Sequence, residues 1–147
     1  MTQPTSPARP AIVNIAFWLV LAGAVLLLVG GLLGLSITVS SPDSTFGADL
    51  PGDVVRSSRI LLGGMSVIWL IAGIALSFLA GRARNGDLRF RRSMVWMSVA
   101  VVVMVFLLTL LAPKALTLPA LFGVVPVAIG ATLFMRPAAS DWFLDVK

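Results

Sequence analysis

The sequence contains no cysteine, histidine, tyrosine or glutamate among its 147 residues. Without cysteine and histidine the chain cannot form a disulfide, a thiol nucleophile, a Ser-His triad, or a haem or zinc site ligated by those side chains. An enzyme would have only Asp, Ser, Thr, Lys and Arg to work with, and the aspartates lie in no recognisable catalytic constellation. The sequence therefore predicts no catalytic residue, no bound metal, no cofactor and no enzymatic activity.

Charge is also scarce. Charged residues make up 12% of the chain and hydrophobic residues 59%, which is far from the balance of soluble domains. A soluble domain of this length would need more charges to cover its surface, so the composition indicates an integral membrane protein.

Four apolar runs occupy residues 11–35, 60–80, 93–112 and 118–135. A helix needs about 20 apolar residues to cross a bilayer, and each run is close to or above that length. The first run is too long for the apolar core of a signal peptide, and no cleavage site follows it. We expect an all-α integral membrane protein with one domain, residues 1–147, whose four transmembrane helices form an antiparallel up-down bundle.

None of the four runs contains Asp, Glu, Lys or Arg. Pumps, proton-coupled carriers and voltage sensors keep ionisable groups inside the membrane, so those classes are disfavoured. The strongly polar side chain within a run is that of Asn14, which lies near the start of the first run, where headgroup water can solvate its amide.

Residues 81–92 carry five arginines against one aspartate, a net charge of +4, whereas residues 36–59 carry a net charge of −1. Short loops rich in Lys and Arg stay cytoplasmic. The loop at 81–92 is therefore expected inside, the loop at 36–59 outside, and both termini in the cytoplasm. The cluster can also contact anionic headgroups, an acidic partner or the phosphate of a ligand. Its members are Arg82, Arg84, Arg89, Arg91 and Arg92.

Small residues spaced four apart let helices approach closely in lipid. Four such positions are predicted packing sites, at Gly30, Gly34, Gly73 and Ser77. The third run instead has a stripe of methionines, at Met94, Met97 and Met104. Methionine usually fills irregular gaps and sometimes lines a groove. Because the third run has few small residues, we expect it to face lipid or a partner.

The outer segment contains Asp43, Asp49 and Asp53. Their spacing does not match a calcium loop, so we expect a solvated loop in which Asp53 caps a helical lead into the second span. The tail, residues 136–147, is cytoplasmic and is expected to be an interfacial anchor or a docking peptide.

The number of spans is similar to that of the small multidrug resistance transporters, but that family depends on a carboxylate in its first span, and residues 11–35 contain none. The stretch "RPAIVNIAFWLVLAGAVLLLVGGLLG", residues 9–34, resembles the opening of small actinobacterial four-span membrane proteins of unknown function. That resemblance covers one span and implies a bacterial plasma membrane.

Two hypotheses for the function remain open. The first is a non-catalytic accessory or structural subunit of a larger bacterial membrane protein complex, for instance respiratory or envelope-transport machinery. The second is a homo-oligomeric carrier or pore for an apolar or weakly polar solute, which needs no buried charge. The expected partners are the larger complex and anionic lipids at the cytoplasmic face, with no nucleic acid.

Overall fold

The computed structural model describes residues 11–46, 51–85, 87–111, 114–136 and 139. Throughout these ranges the regular structure is helical, which confirms the all-α prediction. The elements are α1 (Ala11–Ser40), a 3₁₀ turn (Asp43–Phe46), α2 (Gly52–Arg84), α3 (Leu88–Leu111) and α4 (Lys114–Met135).

Three of the described helical stretches are long and apolar enough to cross a membrane: Ala11–Ser40, Gly52–Arg84 and Arg89–Leu107. In α4 the described apolar stretch is shorter, Phe122–Met135. Length and composition are thus compatible with a helical membrane protein.

We name the two ends of the bundle after the predicted orientation: residues 36–59 belong to the outer end and residues 81–92 to the inner end. The helices extend beyond the apolar runs at the outer end. α1 continues to Ser40, where the hydroxyls of Thr38 and Ser40 donate hydrogen bonds of 2.8 and 2.6 Å to carbonyls four residues earlier. Such bonds satisfy the polar side chains within the helix itself. Much of the predicted outer loop, residues 36–59, is therefore helical, because α1 includes residues 36–40 and α2 includes residues 52–59.

α2 begins at Gly52, well before the apolar run that starts at residue 60. The N-cap residue is Pro51, so the prediction that Asp53 caps this helix is wrong. Asp53 lies instead in the first turn, where a carboxylate still interacts favourably with the positive end of the helix dipole.

The connection between α2 and α3 is much shorter, because α2 runs through Arg84 and α3 starts at Leu88. The Asn85 N–H donates to the Arg82 carbonyl at 3.1 Å as α2 ends. A carboxylate oxygen of Asp87 accepts the backbone N–H of Arg89 at 3.0 Å, which caps the start of α3. The arginine-rich segment 81–92 is therefore two helix ends joined by a three-residue connection.

α1 packs against both α2 and α4, and α3 closes the bundle by packing against α2 and α4 in turn. The backbones of α1 and α2 approach each other so closely that the glycines between them leave no space for a side chain. A Cβ atom on Gly31 would lie 2.8 Å from Leu70 Cγ, and one on Gly73 would lie 2.9 Å from the Ala24 carbonyl oxygen. Because later positions of α1 meet earlier positions of α2, these helices are antiparallel.

The α1–α4 contact is as close. A Cβ atom on Gly23 would lie 2.7 Å from the Gly123 carbonyl oxygen, and one on Gly130 would lie 3.0 Å from that of Ala16. These helices are also antiparallel, and glycine is required at both positions because the facing atoms are backbone. α1 is therefore held between two neighbours by contacts that leave no room for side chains.

α3 contacts the other helices through larger side chains. A smaller fraction of its apolar stretch is buried than in α1 or α2. Met94, Val101 and Val105 are buried in the bundle, while Met97 and Met104 are half-buried at its edge. The methionine stripe thus faces the other helices, and the face opposite is exposed. The flexible methionine side chains fill the space between α3 and its neighbouring helices.

Candidate functional site

The five inner arginines separate into two groups with different surroundings. Arg84, in the last turn of α2, places its guanidinium carbon 4.7 Å from the centre of the Phe17 ring on α1. Arg82 places its own 5.5 Å from the ring of Phe78 and 5.6 Å from that of Phe90. All three distances fall within the range of cation–π attraction. Arg82 therefore joins the inner end of α2 to α3, and Arg84 joins it to α1.

The two rings around Arg82 also touch each other. The centroids of Phe78 and Phe90 lie 6.1 Å apart with an interplanar angle of 77°, an edge-on arrangement. Phe78 belongs to α2 and Phe90 to α3, so the stacked guanidinium and the ring pair fix the short connection between these helices. The contact between Phe78 and Arg82 could be predicted from the sequence, because the two residues are four apart and share a helix face.

The second group lies in the first turns of α3. The Arg91 Nε donates a hydrogen bond of 3.1 Å to the carbonyl oxygen of Phe134, in the last turn of α4. Cations at the C-terminal end of a helix satisfy its free carbonyls and complement the helix dipole. Arg91 therefore joins the start of α3 to the end of α4.

Beside Arg91 there is an open cavity of about 460 Å³. Arginines form its rim and apolar side chains its wall; the lining residues are Arg89, Arg91, Arg92, Val95, Trp96 and Met135. On α3 the three residues Arg89, Arg92 and Trp96 follow one another at helical spacings of three and four, so they share one face. We call this feature the inner pocket.

A second cavity, of about 190 Å³, opens along the seam between α2 and α3. Its lining consists entirely of apolar residues: Ile68, Ile71, Ala72, Met97, Ala100, Val101 and Met104. We call it the α2–α3 groove. Two alanines, Ala72 and Ala100, contribute small side chains to it, one from each helix.

Three of the four predicted packing positions, Gly30, Gly34 and Gly73, lie on the α1–α2 seam. A Cβ atom on Gly34 would overlap the Ser66 Oγ, whereas one on Gly30 would meet the Trp69 ring at an ordinary 3.6 Å. Gly73 faces α1, and the Ser77 hydroxyl donates to the Gly73 carbonyl at 2.8 Å. The spacing pattern missed Gly31, and it missed the α1–α4 seam, where Gly23 and Gly130 make the closest approaches.

At the outer end Arg59 organises the chain that follows α1. Its Nη2 lies 2.8 Å from a carboxylate oxygen of Asp43 and donates to the Ser41 carbonyl at 2.8 Å. Its guanidinium carbon also lies 5.0 Å from the centre of the Phe46 ring. Asp43 is thus engaged by an arginine, and Asp49 lies outside the described residues. Across the described ranges no three His, Cys, Asp or Glu side chains come together as a metal site would require.

Of the tail, residues 136–147, for which we predicted an interfacial anchor or docking peptide, the structure describes Arg136 and Ala139, and the other residues lie outside the described ranges. Comparison with known proteins found no matching family model, no similar curated protein and no similar solved structure.

Proposed function

We propose that this protein is a non-catalytic accessory subunit of a larger bacterial membrane protein complex. In this proposal all four helices cross the plasma membrane, and both termini and the arginine-rich connection lie in the cytoplasm. The arginine-poor outer segment then faces the other side, as the distribution of positive charge favours.

The residue inventory supports a role without chemistry. The chain lacks Cys, His, Tyr and Glu, and its apolar runs lack every charged side chain. A carrier that moves ions or protons would need such groups within the membrane. A subunit that only packs against a neighbour does not need them.

The observation that carries the proposal is the uneven packing of the bundle. α1 is fixed to α2 and α4 at backbone distance, while α3 leaves an apolar groove open on its α2 side. Lipid tails offer apolar contact everywhere, so helices associate in a bilayer where small residues permit close van der Waals packing. Ala72 and Ala100 provide that opportunity in the α2–α3 groove.

The occupant that fits this groove is a transmembrane helix of a different protein. A symmetric dimer would place the same patch of each copy against the other, and two concave surfaces leave a void between them. If the dimer axis ran along the membrane normal, it would also bring both inner arginine clusters to the same end of the interface, where like charges repel. A convex helix with acidic residues at its cytoplasmic end would complement both the concave shape of the groove and the positive charge of the inner arginines.

Purification from the native membrane in a mild detergent, with identification of the co-eluting proteins, tests the proposal. Ala100→Phe fills the groove and should deplete the partner. Val99→Phe is the matched control, because one residue turns the helix by about 100° and Val99 is exposed on another face. We expect one larger membrane protein to co-elute in constant ratio with the wild type and with V99F, and to be depleted with A100F. A pure homo-oligomer would overturn the proposal and support the carrier or pore.

A further inference from the structure

We propose that the inner pocket is a binding site for an anionic glycerophospholipid, with the lipid phosphate held between Arg89 and Arg92. This inference concerns a different surface from the α2–α3 groove and does not depend on the accessory role. It assigns to two of the five inner arginines a task that the other three do not share.

The division of the arginines supports the assignment. Arg82 and Arg84 stack on aromatic rings, and Arg91 donates to the Phe134 carbonyl. Within the part of the chain that the structure describes, the guanidinium groups of Arg89 and Arg92 have no hydrogen-bond or ion-pair partner, and both side chains are exposed. They are therefore the two inner arginines of α3 that can offer their full set of donors to a ligand.

The geometry of α3 suits a phosphate. Arg89 and Arg92 are three residues apart on one face, so their guanidinium groups can converge on a single anion. A guanidinium presents parallel N–H donors that match the oxygens of a phosphate in a bidentate arrangement. Within the described residues Asp87 forms no ion pair with either arginine, and its Oδ1 accepts the backbone N–H of Arg89 instead.

The rest of the lining distinguishes a lipid from a soluble anion. Trp96 lies one helical turn beyond Arg92, about 6 Å along the axis, and it is 65% exposed. Met135, 61% exposed, completes the apolar side from α4. The pocket thus has a cationic rim and an apolar wall, which is the polarity of a phosphate joined to a glycerol and acyl chains.

Size and position favour a lipid over a protein partner at this pocket. A volume of about 460 Å³ suits a headgroup with its glycerol and the start of the acyl chains, and falls in the range of small-ligand sites. Tryptophan at the end of an apolar helix is typical of the headgroup level of a bilayer. The proposed ligand is already concentrated at that level.

Native mass spectrometry of the purified full-length chain, titrated with phosphatidylglycerol in mild detergent, tests the site. Arg89→Gln combined with Arg92→Gln should weaken phosphatidylglycerol retention by about tenfold or more, because two charge-assisted contacts are lost. Arg82→Gln combined with Arg84→Gln is the matched control, since it removes the same charge from the same end of the protein. That control should stay within about twofold of the wild type. Circular dichroism establishes that each variant is folded.

A double lysine variant distinguishes a specific phosphate site from general electrostatic attraction to anionic lipids. Arg89→Lys combined with Arg92→Lys keeps both charges but loses the bidentate fork, and we expect weaker retention than in the wild type. Equal loss in both glutamine pairs, or unchanged retention in R89Q/R92Q or in the lysine pair, would overturn the proposal. Equal retention of phosphatidylcholine, which carries the same phosphate beside a cationic choline, would show that the site does not select an anionic headgroup, and displacement by inorganic phosphate alone would show a soluble-anion site; either result would overturn the anionic-lipid assignment.

Discussion

The guanidinium carbon of Arg84 lies 4.7 Å from the centre of the Phe17 ring, which joins the last turn of α2 to the early part of α1. Phe17 is buried, so the arginine covers a ring that belongs to the core of the bundle. The contact couples an inner charge, which also favours a cytoplasmic position, to the packing of two helices.

Arg84→Gln should lower the free energy of unfolding, because the cation–π contact and its apolar packing are lost. Contacts of this kind contribute about 0.5–2 kcal/mol. Arg92→Gln is the control, an exposed position at the same end that should change stability by less than about 0.5 kcal/mol. Thermal unfolding in detergent measures both, and equal shifts in the two variants would show that charge, not the ring contact, is responsible.

Gly31→Ala should destabilise the bundle. The added Cβ would lie 2.8 Å from Leu70 Cγ and 2.9 Å from the Ser66 carbonyl oxygen, so α1 and α2 must separate. Overpacking of this kind costs about 1–3 kcal/mol. At Gly64, on α2, nothing lies within 4 Å of the equivalent Cβ, so Gly64→Ala should be neutral or slightly stabilising. Thermal unfolding of the two alanine variants compares them, and equal stability would contradict the close α1–α2 approach.

Arg59→Gln should disturb the outer segment more than Asp43→Asn does. The aspartate change removes an exposed ion pair worth at most about 1 kcal/mol. The arginine change removes that pair together with the Ser41 carbonyl bond and the Phe46 ring contact. In a Ser44→Cys background, we expect faster reaction with a thiol reagent for R59Q than for D43N. Equal rates would mean that the ion pair alone holds the segment.

The proposed topology is open to direct labelling, because the chain has no native cysteine. Ser44 lies in the 3₁₀ turn and Asn85 in the inner connection, and both are exposed. We expect Ser44→Cys to react with a membrane-impermeant thiol reagent on intact cells, and Asn85→Cys to react only after permeabilisation. The reverse pattern would place the arginine-rich connection outside.

Uncharged apolar runs predicted the four helices, because a long apolar segment has few alternatives to a helix in a membrane. They did not predict the helix ends. Thr38 and Ser40 are polar, yet their hydroxyls bond within α1 and let it continue. Similarly, the charges at Arg82 and Arg84 suggested a loop, whereas arginine is a good helix former and both residues belong to α2.

The roles of individual site residues depended on which face of each helix is directed at its neighbours. Gly30 and Gly31 are neighbours in sequence, but about 100° apart around α1, and a Cβ on Gly31 would clash where one on Gly30 would not. The sequence showed how many arginines the inner end carries. It could not show that Arg82 lies beside the Phe90 ring of α3 while Arg89 and Arg92 line a pocket that Met135 of α4 completes, because those surroundings depend on how the helices pack.

Site-specific photocrosslinking in the native membrane tests most directly whether the α2–α3 groove receives a helix of another protein. A benzoylphenylalanine is placed at Ile71, a large and exposed side chain that already lines the groove, and in a separate variant at Val99, which lies on another face of α3. We predict one discrete adduct with a larger membrane protein from position 71 and none from position 99. An adduct of twice the chain's own mass, or the absence of any protein adduct at position 71, would contradict the accessory role.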